Sequence, residues 1–150
     1  MGLFDKIFKA NTVAFSYTPK SEQEAWIAIM YGCIAVDGEV SESEVDALLR
    51  LVVFKSLFEN HDIKSSYVNA LSAYKQIGSK GLIDSSSAKV GSDKATLFAL
   101  VMELLLADGV LGSKEEEIAE YLTTSLSLDA DLAQKIVEVM LIKNKGNIVV

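Results

Sequence analysis

Two acidic phrases of the same form stand in this chain, and its chemistry would lie in them. Asp37, Gly38, Val40 and Glu44 make the first; Asp108, Gly109, Leu111 and Glu115 make the second, so both read Asp-Gly-x-(Val/Leu)-x-x-x-Glu. Carboxylate oxygens are hard ligands, and an Asp–Glu pair across a loop-to-helix turn is a sensible cage for a divalent cation, with calcium favoured. The EF-hand loop shares part of this order: an acidic ligand, a Gly, an apolar residue and a closing bidentate Glu. Its upstream ligand positions fall here on Cys33 and Ala35, and on Leu104 and Leu106, which excludes an EF-hand loop. The same residues also have a purely structural use. A Gly ends a helix in the left-handed region, and a Glu at the third helical position caps backwards. Acidic side chains suit a helix N-terminus, and Asp37 and Asp108 can bond their own turns. The spacing admits both uses and does not say whether the two turns converge.

Little else in the chain offers chemistry. There is one His and one Cys. His61, beside Asp62 in an expected loop, reads as a surface residue and not a ligand or base, and Cys33 sits in an apolar run, which leaves a Cys–His pair without context. No phosphate-cradling Gly-rich loop and no Gly-x-Ser-x-Gly occurs. The expected role is therefore non-enzymatic, the one assembly open to catalysis being a carboxylate-based metal hydrolase. Glu103 interrupts an apolar run and reads most simply as partly exposed, although it aligns with Gly32 of the first repeat, whose small size would leave room for it. Glu115, Glu116, Glu117 and Glu120 together read as a solvated face.

Composition narrows the partners. The chain has 150 residues, half of them hydrophobic, which suits one domain with a genuine core. Its net charge of −7 repels phosphate backbones, so no nucleic acid is expected, and cations or a basic protein suit it better. A lone cysteine excludes disulfides and cysteine metal clusters and fits a reducing, cytoplasmic setting. No secretory signal opens the chain, and Ala25 to Val36 is too short for a transmembrane segment.

The elements that must position the two phrases follow from apolar periodicity, with a single Pro favouring helices. Leu3, Phe4, Ile7 and Phe8 share one face of a short N-terminal helix, expected to dock on the core, the alternative being a membrane-surface anchor. Asn11 to Lys20 reads as a linker. Ser21 and Glu24 form a capping box, and Ala25 to Val36 is apolar all round, the mark of a helix buried on every side. Ser41 and Glu44 cap the next helix, whose stripe of Val45, Leu48, Leu49, Val52 and Val53 should reach about Phe58. A third helix from Ile63 is expected to end near Gly78, with a loop or short distorted turn over Leu82 to Gly91. The plan then repeats: Asp93 to Ala107, Ser113 to about Ser125, and a last helix capped by Asp129. This gives one all-α domain over 1–150, a bundle of six to seven helices in two related halves, roughly 21–60 and 92–131, after the N-terminal helix and linker of 1–20.

With the acidic phrases placed between helices, the chain resembles the tellurite resistance protein TerB family and its wider TerB-like relatives. Leu3-Phe4-Asp5-Lys6 is similar to the start of many such proteins, Ala107-Asp108-Gly109-Val110-Leu111 with Glu115 to their C-terminal motif, and Ser127-Leu128-Asp129 to the capped turn before their last helix. Val36 and Gly112 depart from the pattern, which has a small residue and a polar cap there. The resemblance implies a helical bundle in which Asp37, Glu44, Asp108 and Glu115 chelate a divalent metal ion. It also implies a non-enzymatic part in a bacterial stress response, with cytoplasmic and membrane-associated protein partners of a tellurite-resistance-type system at the inner face of the membrane. TerB-like domains also serve as modules in other proteins, co-chaperones among them. A structural interaction module without metal stands as the alternative.

Overall fold

A computed structural model describes residues 16–148, and the expected N-terminal helix at Leu3, Phe4, Ile7 and Phe8 lies outside them. Six α-helices follow in order: α1 Glu22–Ile34, α2 Glu42–Val53, α3 Ile63–Ser86, α4 Lys94–Leu105, α5 Ser113–Ser125 and α6 Ala130–Asn144. Short 3-10 turns occupy Ala35–Asp37, Ser56–Phe58 and Ser87–Lys89. No strand occurs among the described residues, so the protein is an all-α bundle. No helix among them is long and apolar enough to cross a membrane.

The core is built around α1. Every residue from Glu24 to Ile34 is buried, as a helix without a polar face demands. α3 packs on it most extensively, and α2, α4 and α5 cover its remaining sides. The second half copies this arrangement, since α4 packs on α6, α5 and α1 and touches α2. Exchanging the halves maps α1 on α3 to α4 on α6, and α1 on α5 to α4 on α2. α4 is the less covered of the two central helices: Leu97, Phe98, Val101, Met102 and Leu105 are buried, while Leu100 and Leu104 are half-buried.

The capping box expected of Ser21 and Glu24 is only half made, because the glutamate is used elsewhere. Ser21 Oγ accepts from the Glu24 N–H at 3.1 Å, but the carboxylate turns inward. It accepts from Tyr17 Oη at 2.7 Å, from the Lys20 N–H at 3.2 Å and from Asn69 Nδ2 at 2.9 Å. Three donors satisfy a carboxylate that is only 2% exposed. They also tie Tyr17 to Lys20 onto α1 and α3, so the end of the expected linker is fastened, with Pro19 buried. Burial, followed by the Glu24 contact, drives the Tyr17 phenol far above its usual range.

Four local expectations are corrected. α1 ends at Ile34, and a 3-10 turn carries the chain on to Gly38. α2 stops at Val53, after which the Ser56–Phe58 turn returns Phe58 to the core, edge-on to Trp26. The third helix does not end at Gly78. That residue takes φ 72°, a kink open to glycine, and the chain re-enters the helix because Leu82 and Ile83 beyond it are fully buried. The segment from Leu82 to Gly91, expected as a loop or short distorted turn, is thus helical to Ser86 and turns only over Ser87–Lys89, where the Ser87 hydroxyl donates to the Ile83 carbonyl at 2.7 Å. Gly32 makes room for α3, since a Cβ there would stand 3.2 Å from the Ser79 carbonyl. Glu103 is half-buried, in line with the expected partial exposure, and pairs with Lys143 at 2.7 Å.

Truncation should separate the two depths of burial. Ile29→Ala and Leu97→Ala, both in fully buried positions, are expected to cost about 2–5 kcal/mol each in denaturant unfolding. Leu100→Ala, at a half-buried position, should lose clearly less. Equal losses at Leu97 and Leu100 would contradict this packing of α4.

Candidate metal centre

The two acidic turns are built alike. In the first, the residue that ends α1, Ala35, takes φ −87° and ψ 4°, Gly38 takes φ 89°, and Ser41 takes φ −80° and ψ 161°. In the second, Leu106 takes φ −98° and ψ 9°, Gly109 φ 79°, and Gly112 φ −76° and ψ 165°. The Gly38 N–H donates to the Ala35 carbonyl at 2.9 Å, and the Gly109 N–H to the Leu106 carbonyl at 2.8 Å. A left-handed Gly therefore reverses the chain twice in the same way, each time passing it to a new helix. At Gly109 this is reinforced by close approach, since a Cβ would meet the Asn147 carbonyl at 3.0 Å.

Each glutamate caps the helix it opens. Glu44 Oε1 accepts from the Ser41 N–H and hydroxyl, both at 3.1 Å, and the Ser41 hydroxyl in turn accepts from the Glu44 N–H at 3.2 Å. Glu115 Oε1 accepts from the Gly112 N–H at 2.9 Å. Gly112 has no side chain to answer with, so this second box is half made. Asp108 Oδ1 accepts from the Val110 N–H at 3.0 Å, closing an Asx turn. Among the described residues, no donor or cation engages Oε2 of either glutamate, Oδ2 of Asp108 or either oxygen of Asp37. Capping and ligation thus need not compete for the same oxygen.

The fold brings the two turns together. Asp37, Glu44, Asp108 and Glu115 all line one cavity of about 470 Å³, with Ile34, Leu105 and Ile148 among its apolar walls. Asp37, Glu44 and Asp108 are exposed and Glu115 is half-buried. Burial raises the Glu115 carboxyl above its ordinary value; the Gly112 N–H opposes this, and the charges of Asp37, Asp108 and Glu44 push it further up. Among the described residues, no three acidic, histidine or cysteine side chains stand close enough to hold an ion as they are placed. Direct ligation would require the four to draw inward, or water to complete the shell, which calcium accepts in its flexible coordination.

Sequence spacing missed the rest of the wall. Ser41 and Ser43 add hydroxyls, and Ile148 arrives from beyond α6, where Gly146 at φ 82° bends the chain back. Gly146 after a run of helical residues was the available signal. His61 is not a free surface residue: its Nε2 lies 2.6 Å from the hydroxyl of buried Ser66, and its ring meets Phe58 edge-on. Asp62 does not orient that ring, being engaged with the Ser65 N–H at 3.0 Å. Cys33 is wholly buried, which pushes its thiol up to about 12 and away from nucleophilic use.

No protein-family model, no curated protein and no solved structure matches this chain.

The raised Glu115 carboxyl has a signed consequence. Its folded form binds a proton at a pH where the unfolded chain has released it, so this group stabilises the fold below the unfolded value. That contribution is lost as pH rises through the folded value. At neutral pH without divalent cations, Glu115→Gln should therefore raise Tm, because Gln keeps the cap on Gly112 and removes the repulsion. The gain should disappear on acidification below the usual glutamate range. A variant that melts lower than the parent at neutral pH would contradict the crowding of charge.

Proposed function

We propose that this chain is a non-enzymatic, TerB-like interaction module that binds a divalent cation, calcium favoured, through Asp37, Glu44, Asp108 and Glu115. It acts in the cytoplasm with protein partners, among them membrane-associated components of a tellurite-resistance-type stress response. The observation that carries the cation reading is that both acidic turns face one cavity, although they lie in different halves of the chain. Four carboxylates sharing a cavity repel one another, and a divalent cation relieves that repulsion while leaving the capping oxygens in use. The absence of a matching relative leaves the TerB-like assignment resting on the motifs and their order.

A second reading has its own observation. Glu44 and Glu115 both cap, and Asp108 closes its own turn, so the phrases already have a structural use. In that reading the module binds partners without metal. A metal hydrolase draws no comparable support.

Calcium titration of the melting temperature separates the first two. A ligand that binds only the folded state stabilises it by about 2.7 kcal/mol at a hundred times Kd. Calcium should raise Tm of the parent and leave Asp108→Asn/Glu115→Gln unmoved, with unchanged helical circular dichroism in both. Equal stabilisation of parent and double variant would leave these residues as caps alone.

A further inference from the structure

The two halves differ most beside their third helices. Aligned on the Asp-Gly turns, Tyr31 pairs with Met102, Val45 with Glu116, Leu48 with Ala119 and Leu49 with Glu120. Aligned on the N-caps Asp62 and Asp129, Tyr67 pairs with Gln134 and Tyr74 with Leu141. In the first half, Tyr31 meets Tyr67 and Tyr74 edge-to-face, with centroids 5.8 Å and 5.4 Å apart. Leu48 is fully buried beneath α2. Three aromatic rings thus pack between α1 and α3, and α2 contributes a fully buried leucine.

The second half has none of those groups at the matched positions. Between α4, α5 and α6 lies a groove of about 380 Å³, floored by Phe98 and Met102 and walled by Ala119, Val137 and Leu141. Its rim carries Glu116, Glu120 and Gln134. The two glutamates stand one helical turn apart on α5, both exposed, and neither is in an ion pair among the described residues. Leu141 is 46% exposed on the open side. An apolar trough edged with carboxylates thus stands where the first half carries bulk and no charge.

We propose that this groove docks a basic amphipathic helix of a partner protein. An aromatic side chain of that helix takes the place that Tyr67 and Tyr74 fill in the first half, and its Lys or Arg side chains pair with Glu116 and Glu120. Helix-in-groove recognition uses apolar anchors at helical spacing, and aromatic anchors in desolvated pockets carry most of such binding. Opposite charge at the rim selects the partner and speeds encounter, which a chain of net charge −7 reinforces. The inference rests on the partner-binding part of the proposed function and not on the cation, since the groove and the acidic cavity share no lining residue.

The test uses the full chain in EDTA with a fluorescent synthetic helical peptide carrying Phe at i, i+4 and i+7 between flanking lysines. A twin peptide carries glutamate in place of each lysine. The lysine peptide should bind saturably and the glutamate peptide should not; Glu116→Lys/Glu120→Lys should reverse that preference. Ala119→Leu/Gln134→Tyr copies the first half into the second, and should weaken the lysine peptide by at least about ten-fold without lowering Tm. Should that variant fail to fold, Leu141→Gln on the exposed wall should give the same direction of loss. Absence of binding, equal binding of the two peptides, or undiminished binding to the variants overturns the proposal. So does binding that arises only after residues 1–15 are deleted, which would assign the groove to the chain's own segment. Since calcium is absent throughout, failure of the cation reading leaves this result untouched.

Discussion

Helix α1 has no side that tolerates water, and the remaining elements are arranged to satisfy that constraint. From Glu24 to Ile34 it is buried all round, so α2, α3, α4 and α5 must all contact it. Such a helix can meet polar groups only at its ends. At the start, Glu24 is held by Tyr17, the Lys20 N–H and Asn69, while Glu22 accepts from Trp26 Nε1 at 3.2 Å and from the Gly91 N–H at 2.8 Å. The second carboxylate ties the beginning of α1 to the connection between the halves. At its other end the chain leaves through the Asp-Gly turn. Because α4 packs on α1 and ends in the same kind of turn, core packing and the meeting of the acidic turns are one event.

That meeting sets two electrostatic effects against each other. Burial raises the Glu115 carboxyl first, and the charges of Asp37, Asp108 and Glu44 on the same cavity push it further up. Yet Glu44 and Glu115 sit at the N-termini of α2 and α5, where the helix dipole and the orphan N–H groups favour negative charge. Each glutamate divides its work: Oε1 is used by the cap, and Oε2 is engaged by no donor among the described residues. A divalent cation is the ligand that would turn the repulsive balance into an attractive one. The capping bonds would hold Glu44 and Glu115 in register meanwhile, so a structural role and a binding role would not conflict at these two glutamates.

The two halves share a frame and fill it differently. Tyr31, Tyr67 and Tyr74 close the first half with edge-to-face contacts worth more than their area alone. α3 is also the longer third helix, bending at Gly78 to continue along α1. The second half carries Met102, Gln134 and Leu141 in the matching places and remains open at its surface. One half therefore serves chiefly as core, while the other keeps apolar surface and uncompensated acid on display. A duplicated bundle can divide its duties in this way because each half already owns a central helix to fold around.

Local chemistry was readable wherever a residue acts on its near neighbours. The all-apolar Ala25 to Val36 run announced the buried central helix, Ser41 with Glu44 announced a cap, and Asp129 announced the start of α6. The repeated Asp-Gly phrase announced two similar turns, because a left-handed glycine and a backward-capping glutamate are both short-range effects. Gly78 misled for the same reason. A local break was visible, but the pull of buried Leu82 and Ile83, which restarts the helix, comes from α1, far away in the chain. Glu24 likewise read as a cap until Asn69 of α3 was brought beside it. Above all, the spacing within each phrase held no information on whether Asp37 and Asp108 meet. Only the packing of α1 against α4 decided that, because their relative placement is set by side chains covering the core and not by the turns that the core carries.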